Sequence, residues 1–206
     1  MKKKSKLIKR IISISILFMV ILIANKSQSD NREEHNFSKL NIGDILKEFE
    51  QDPRDSQVII KKYKTILKLG INRTELNEIL YHLFSVQSSP TIIVKILDII
   101  VKVKIANLPV EPIFNKIREG LAKGMSSSLI ANAISWKAKT LNDAKDVLEE
   151  AIFKGYSPFE QEQTIIMIND FLSLDISKRH ILEIMTTYKT QRNLYELKNL
   201  LIIEVG

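Results

Sequence analysis

The side chains with the clearest capacity for chemistry in this sequence are two pairs of histidine and glutamate. Glu78 and His82 are four residues apart, and His180 and Glu183 are three apart, so on a helix each pair shares one face. Either pair could supply two ligands to a metal ion, and the four side chains together could form one site. We favour the alternative of surface ion pairs, because the chain contains no His-Glu-x-x-His signature. The third histidine, His35, lies in a polar segment.

The other residue types of enzyme sites do not form a catalytic pattern. The chain has no cysteine, which excludes disulfides, thiolate metal sites and a cysteine nucleophile. Ser126-Ser127-Ser128 lacks the flanking glycines of a nucleophile elbow, and the six glycines form no phosphate-binding loop. Neighbouring acids such as Glu149 and Glu150 fit a solvated helix face. We therefore predict no catalytic residue and no cofactor, and we favour a function without catalysis.

Net charge points away from nucleic acid once its position is considered. The chain carries 31 Lys and Arg against 24 Asp and Glu, a net charge of +7. Residues 1–29 hold seven of the basic residues and no acid, so the remainder of the chain is balanced. The aromatic residues sit within apolar stripes and are not interleaved with basic ones. We predict no nucleic-acid partner.

The amino terminus has the pattern of an export signal. A cluster of Lys and Arg precedes an apolar run from Ile11 to Ala24, and small residues follow at Ser27-Gln28-Ser29. Basic residues stay on the cytoplasmic side while the apolar run enters the membrane. Fourteen residues are short for a span, which needs about 20, so we predict a signal peptide over residues 1–29 with cleavage after Ser29. The alternative is a retained anchor over residues 7–24 that tethers the chain to the inner membrane.

After this segment the sequence predicts a polar linker over residues 30–40 and an all-helical domain over residues 41–206. Four short stretches each place a residue suited to a left-handed helix end, mostly glycine, two positions before a capping residue. They are Leu69-Gly70-Ile71-Asn72, Lys123-Gly124-Met125-Ser126, Lys154-Gly155-Tyr156-Ser157 and Leu174-Asp175-Ile176-Ser177.

Helix starts are predicted at residues 52, 72, 89, about 110, 126, 140, 157, 177 and 190. This spacing gives about 35 residues for each helix pair, which is the scale of helical repeats. The fold class that we predict is therefore all-α, an array of short antiparallel helices as an irregular α-solenoid or helical bundle. The stretch Ile92–Ile105 is rich enough in Ile and Val to suggest a strand, but its polar residues recur every three or four positions and favour a helix. Gly120, inside a predicted helix, indicates close approach by a neighbouring helix.

One segment carries a resemblance. Residues 109–124, and above all the run Glu119-Gly120-Leu121-Ala122-Lys123-Gly124, resemble a segment of uncharacterised exported bacterial proteins that are helical. The resemblance implies an exported helical protein in the periplasm or cell envelope, and it implies no activity. We expect a non-enzymatic protein-binding or scaffolding module whose partner is another envelope protein, with membrane contact only through residues 1–29 if they are retained. The alternative is an envelope enzyme or metal-binding protein that uses Glu78/His82 and His180/Glu183.

Overall fold

In a computed structural model of the chain, residues 36–158 and 160–187 are described. The predicted signal segment, most of the predicted linker and the helix predicted from residue 190 lie outside these ranges. The chain divides into two units, Met1–Phe37 and Ser38–Gly206, and all of the described helices belong to the second. These helices are α1 (Ile42–Glu48), α2 (Pro53–Lys68), α3 (Arg73–Ser85), α4 (Pro90–Ile105), α5 (Glu111–Ala122), α6 (Ser127–Phe153), α7 (Gln161–Ser173) and α8 (Lys178–Thr187).

The predicted all-α class is confirmed, since the described residues form helices and turns and no strand. Most helices begin where a capping side chain accepts a free backbone N–H. The Asp52 carboxylate accepts from the Arg54 amide, and the Ser126 hydroxyl accepts from Leu129. Ser89 caps α4 with a proline directly after it. α4 itself spans Pro90–Ile105, so the helical interpretation of this apolar stretch is correct.

Seven of the described helices end in the same kind of turn. A residue with positive φ follows each helix end, and the next amide donates to a carbonyl five residues earlier, which is the Schellman arrangement. At the end of α5, for example, Gly124 has φ 64° and the Met125 amide donates to the Gly120 carbonyl at 2.9 Å. The residues with positive φ are Glu50, Gly70, Gln87, Asn107, Gly124, Gly155 and Asp175.

The helices pack as two rows within the second unit. α2, α4, α6 and α8 lie side by side in one row, α1, α3 and α5 lie in the other, and α7 packs against α6 and α8. Polar contacts between neighbours in a row join residues one helix pair apart in sequence. Lys95 Nζ donates to Asn132 Oδ1 across 37 residues, and Lys178 Nζ donates to Asp143 Oδ1 across 35. The predicted array of antiparallel helix pairs is confirmed, and helices two apart in sequence are neighbours within a row.

Two predicted helix starts are wrong. The start predicted at residue 140 falls inside α6, a continuous helix of 27 residues. No glycine or proline interrupts this stretch, so the Thr140 hydroxyl lies within hydrogen-bonding distance of its own helix carbonyl at Lys137 and does not cap a new helix. The start predicted at residue 157 moves to Gln161, because Glu160 before it has extended backbone angles.

The core is built mostly from isoleucine and leucine. Ile93, Ile96, Leu97 and Ile100 of α4 are fully buried, as expected for a helix covered on most sides. Gly120 of α5 lies against α6, where a Cβ atom at this position would stand 2.6 Å from Ile130 Cγ1. The close helix approach predicted at this glycine is therefore confirmed. In the described part of the chain, no helix combines the length and the apolar character that crossing a membrane requires.

Candidate functional site

The predicted pair Glu78 and His82 lies on α3, and the structure pairs its acid with an arginine. Arg118 of α5 donates from Nε to Glu78 Oε1 and from Nη2 to Glu78 Oε2, both at 3.3 Å. His82 lies on the last turn of α3 and is partly buried. The Glu78 carboxylate therefore serves to join α3 to α5.

The predicted pair His180 and Glu183 lies on α8. The Glu183 carboxylate accepts from Arg179 Nε at 2.9 Å, and the backbone amide of His180 donates to the Ser177 hydroxyl. Residues 36–158 and 160–187 include both predicted pairs, and within them no three His, Asp or Glu side chains form a group that could hold a metal ion. The structure therefore does not bring the two pairs together into the shared site that their spacing permitted.

Arg118 is the centre of a charge cluster between α3 and α5. Besides Glu78, its Nη2 contacts Glu75 Oε1 at 3.1 Å, and its Nη1 lies 3.3 Å from Asn115 Oδ1 and 3.6 Å from Glu111 Oε1. Burial alone would lower the pKa of Arg118, but hydrogen bonds to Glu78 and Glu75 outweigh it and raise the pKa above its usual value. Arg118 thus brings one positive charge to three carboxylates and links α5 to α3 through Glu75 and Glu78.

A groove of about 470 Å³ lies over α6, between α5 and α7. Its volume is within the range of ligand-binding clefts, about 300 to 1,000 Å³. Trp136, the only tryptophan of the chain, lines it and is 53% exposed. The lining residues are Pro112, Asn115, Lys116, Glu119, Trp136, Lys137, Ile166, Asp170 and Ser173.

The charged side chains of this Trp136 groove are paired. Glu119 Oε2 accepts from Lys116 Nζ at 2.7 Å, and Glu119 Oε1 accepts from Lys123. The hydrogen bond from Lys116, followed by that from Lys123, lowers the pKa of Glu119 to about 2. On the opposite side, Lys137 Nζ lies 3.6 Å from Asp170 Oδ1. The groove thus offers an aromatic surface flanked by two ion pairs, Lys116–Glu119 and Lys137–Asp170.

Buried polar contacts between α6 and α7 hold one side of the groove in place. Asn169 is fully buried, and its amide nitrogen donates to Asp170 Oδ1 at 3.2 Å. The Thr140 hydroxyl lies 2.9 Å from both Asn169 Oδ1 and the Lys137 carbonyl, and it gives its single hydrogen to one of them at a time. The Ser173 hydroxyl donates to the Asn169 carbonyl at 2.8 Å. Satisfied buried groups of this kind stiffen the packing around them.

The sequence indicates one feature of this groove, the outward position of Trp136 on its helix. Trp136 is two positions after the buried Ile134, which on a helix turns its side chain about 200° away from the core stripe. A large aromatic residue on that side is an exception, since tryptophan is usually well buried. Apart from Lys137, which follows Trp136 on α6, the flanking charges could not be assigned in this way, because they come from α5 and α7.

Comparisons with protein-family models, with curated proteins and with solved structures give no significant match for this chain.

Proposed function

We propose that this chain is a non-enzymatic module of the bacterial cell envelope that binds another protein through the Trp136 groove. The observation that carries this proposal is the half-exposed tryptophan inside a groove of about 470 Å³. Tryptophan is the residue type most enriched among the dominant contacts of protein interfaces, because one rigid side chain buries a large area. A partner side chain packed on Trp136 would remove this apolar surface from water.

The charges around the groove favour a protein partner over a nucleic acid. Lys116 and Lys137, the two lysines that line it, are each paired with an acid, so a phosphate backbone would have to compete with bonds already made. The polar rim can instead exchange these ion pairs for hydrogen bonds with a polypeptide. Among the described residues, the lining contains no histidine and no cysteine, which supports binding and not general acid–base or thiol chemistry.

The envelope location in this proposal depends on the pattern of residues 1–29, which lie outside the described part of the chain. Mass spectrometry of the protein purified from its native membrane fraction tests it. A mature chain that begins at Asp30 supports export with cleavage after Ser29. A chain that retains residues 7–24 and stays with the inner membrane supports the tethered form. Recovery of the intact chain in the cytosol would refute both.

Binding at the groove is tested by site-specific photo-crosslinking in cells. We expect a photoreactive amino acid in place of Trp136 to give one discrete protein adduct. The matched control is Phe153, which lies on the same helix and is 91% exposed. The partner identified from the adduct should then bind the purified Trp136→Ala variant at least tenfold more weakly, since truncating a dominant interface residue costs about 2 kcal/mol or more.

The Phe153→Ala variant should bind this partner as the unmodified chain does. Identical adducts at both positions, or full affinity in Trp136→Ala, would contradict the assignment of the groove. Because Trp136 is half exposed, its replacement should leave the helical circular dichroism spectrum unchanged, which separates loss of binding from loss of fold.

A further inference from the structure

A second cleft lies where the turns that follow α1 and α3 meet. Its volume is about 420 Å³. It shares no residue with the Trp136 groove, and its lining residues are Glu48, Phe49, Glu50, Gln51, Phe84, Gln87, Ser88, Ser89 and Pro90.

The charged residues known to line this Glu50 cleft are acidic. Two glutamates, Glu48 and Glu50, line it, and none of the nine lining residues in the described part of the chain is Lys, Arg or His. Across residues 36–158 and 160–187, no hydrogen bond or ion pair joins the Glu50 carboxylate to another side chain. A carboxylate without such a partner, in a cleft whose described walls hold no cation, is complementary to a positively charged group.

The cleft also has an aromatic wall. The ring of Phe49 stacks on Phe84 with centroids 5.6 Å apart and an angle of 16° between the planes. Tyr81 meets the same ring edge-on at 5.3 Å, and its hydroxyl donates to Glu48 Oε1 at 3.0 Å. Phe49 and one of the two carboxylates are thereby held in fixed positions. An aromatic face beside a carboxylate is the arrangement that attracts a guanidinium group, which stacks on rings and hydrogen-bonds to carboxylates at once.

The backbone of two lining residues is consistent with a role for their side chains. Glu50 and Gln87 have φ of 50° and 56°, a conformation that costs energy for any residue with a Cβ atom. In the other Schellman turns of the described chain, this position is taken by glycine, asparagine or aspartate, which adopt it more readily. The two long side chains at left-handed positions therefore both lie in the one cleft.

We propose that the Glu50 cleft binds an arginine side chain of a partner polypeptide, with the guanidinium against Phe49 and beside the Glu50 carboxylate. This inference rests on the charge and the aromatic wall of the cleft and does not depend on the Trp136 groove. The two can fail separately, since a partner could use either surface alone.

The test is an NMR titration of the full-length chain, purified in a non-ionic detergent and labelled with ¹⁵N at glutamine only. Gln51 and Gln87 line the cleft, whereas Gln57 and Gln161 do not and serve as internal controls. The probe is N-acetyl-arginine-N-methylamide, and the matched control is the corresponding derivative of citrulline, which has nearly the same shape and no charge. We expect the arginine probe to shift the signals of Gln51 and Gln87 in a saturable manner, and citrulline to bind at least fivefold more weakly.

A variant pair then assigns the effect to the cleft. Glu50→Gln should weaken arginine binding by about two- to fivefold, the range of a solvent-accessible ion pair. Glu162→Gln, which removes an exposed acid on α7, should leave it unchanged. Equal binding of citrulline, unshifted signals of Gln51 and Gln87, or full affinity in Glu50→Gln would each overturn the inference. Equal binding of the lysine derivative would overturn the assignment to arginine.

Discussion

The contact between Gly120 and Ile130 provides the sharpest test of how this fold is packed. Gly120 lies inside α5, where replacing it with alanine should by itself stabilise the helix by about 1 kcal/mol. The added Cβ atom, however, would stand 2.6 Å from Ile130 Cγ1, well inside van der Waals contact. Ile130 is fully buried in α6, and a β-branched side chain in a helix has few other rotamers. Moving the Ile130 side chain away from the new methyl group therefore costs energy.

The net effect follows from two opposed contributions. Overpacking a well-filled core costs about 1 to 3 kcal/mol. This cost equals or exceeds the stabilisation of about 1 kcal/mol that alanine brings to the helix. Gly120→Ala should thus destabilise the protein by about 0 to 2 kcal/mol, since the propensity gain of about 1 kcal/mol offsets part of the overpacking cost. Ile130→Ala alone should cost about 2 to 5 kcal/mol, because it removes buried atoms and leaves a cavity. In that background the new methyl group finds space, so Gly120→Ala should become stabilising by about 1 kcal/mol.

The assay is a double-mutant cycle in which the free energy of unfolding is measured by urea titration with circular dichroism at constant detergent concentration. The expected signature is the opposite sign of the Gly120→Ala effect in the two backgrounds, with a coupling energy of about 1 to 3 kcal/mol. Stabilisation by Gly120→Ala of equal size in both backgrounds would refute the close approach of α5 and α6. Destabilisation of equal size in both would show that a feature other than Ile130 requires glycine.

Three further predictions concern the polar contacts. Arg118→Ala should lower the free energy of unfolding by about 1 to 3 kcal/mol, because it leaves the partly buried glutamates of α3 without their cation; an unchanged urea midpoint would contradict this. Thr140→Val should cost about 1 to 2 kcal/mol by removing the hydroxyl that bonds the buried Asn169, whereas Thr140→Ser should restore most of the stability. The Glu119 carboxyl, with its pKa lowered from 4.5 to about 2, contributes stability above about pH 4.5 that is lost as the pH falls towards 2. A ¹³C-carboxyl titration should show that Lys116→Gln raises this pKa, and an unaltered value would exclude the lysine as its cause.

Local sequence was sufficient for the class of the fold and for many helix ends. Caps such as Asp52 and Ser126 act within one turn of their own helix, and glycine at 70 and 124 adopts a backbone that other residues reach only at a cost. These effects need no partner distant in sequence. The spacing of the turns accordingly predicted the helix-pair repeat, which the contacts between Lys95 and Asn132 and between Lys178 and Asp143 confirm.

Residue type gave wrong or missing helix boundaries at three positions. Thr140 is suited to begin a helix, yet an uninterrupted apolar stripe carries α6 through it and its hydroxyl bonds a neighbouring helix. Glu50 and Gln87 end helices in the left-handed conformation although their residue types do not favour it. In both turns the backbone adopts a conformation that costs about 1 to 2 kcal/mol at a residue with a Cβ atom, so residue type alone did not predict these helix ends.

The residues that face one another in the candidate sites were decided by tertiary structure. Glu78 was paired with His82 by its spacing, but the side chain that it contacts in the fold is Arg118, 40 residues away. The Trp136 groove takes its walls from three helices, and the Glu50 cleft takes its lining from two turns distant in sequence. A one-dimensional pattern specifies which way a side chain points from its own helix. It cannot specify which side chains of other helices stand opposite, because that depends on how the cores between them fill.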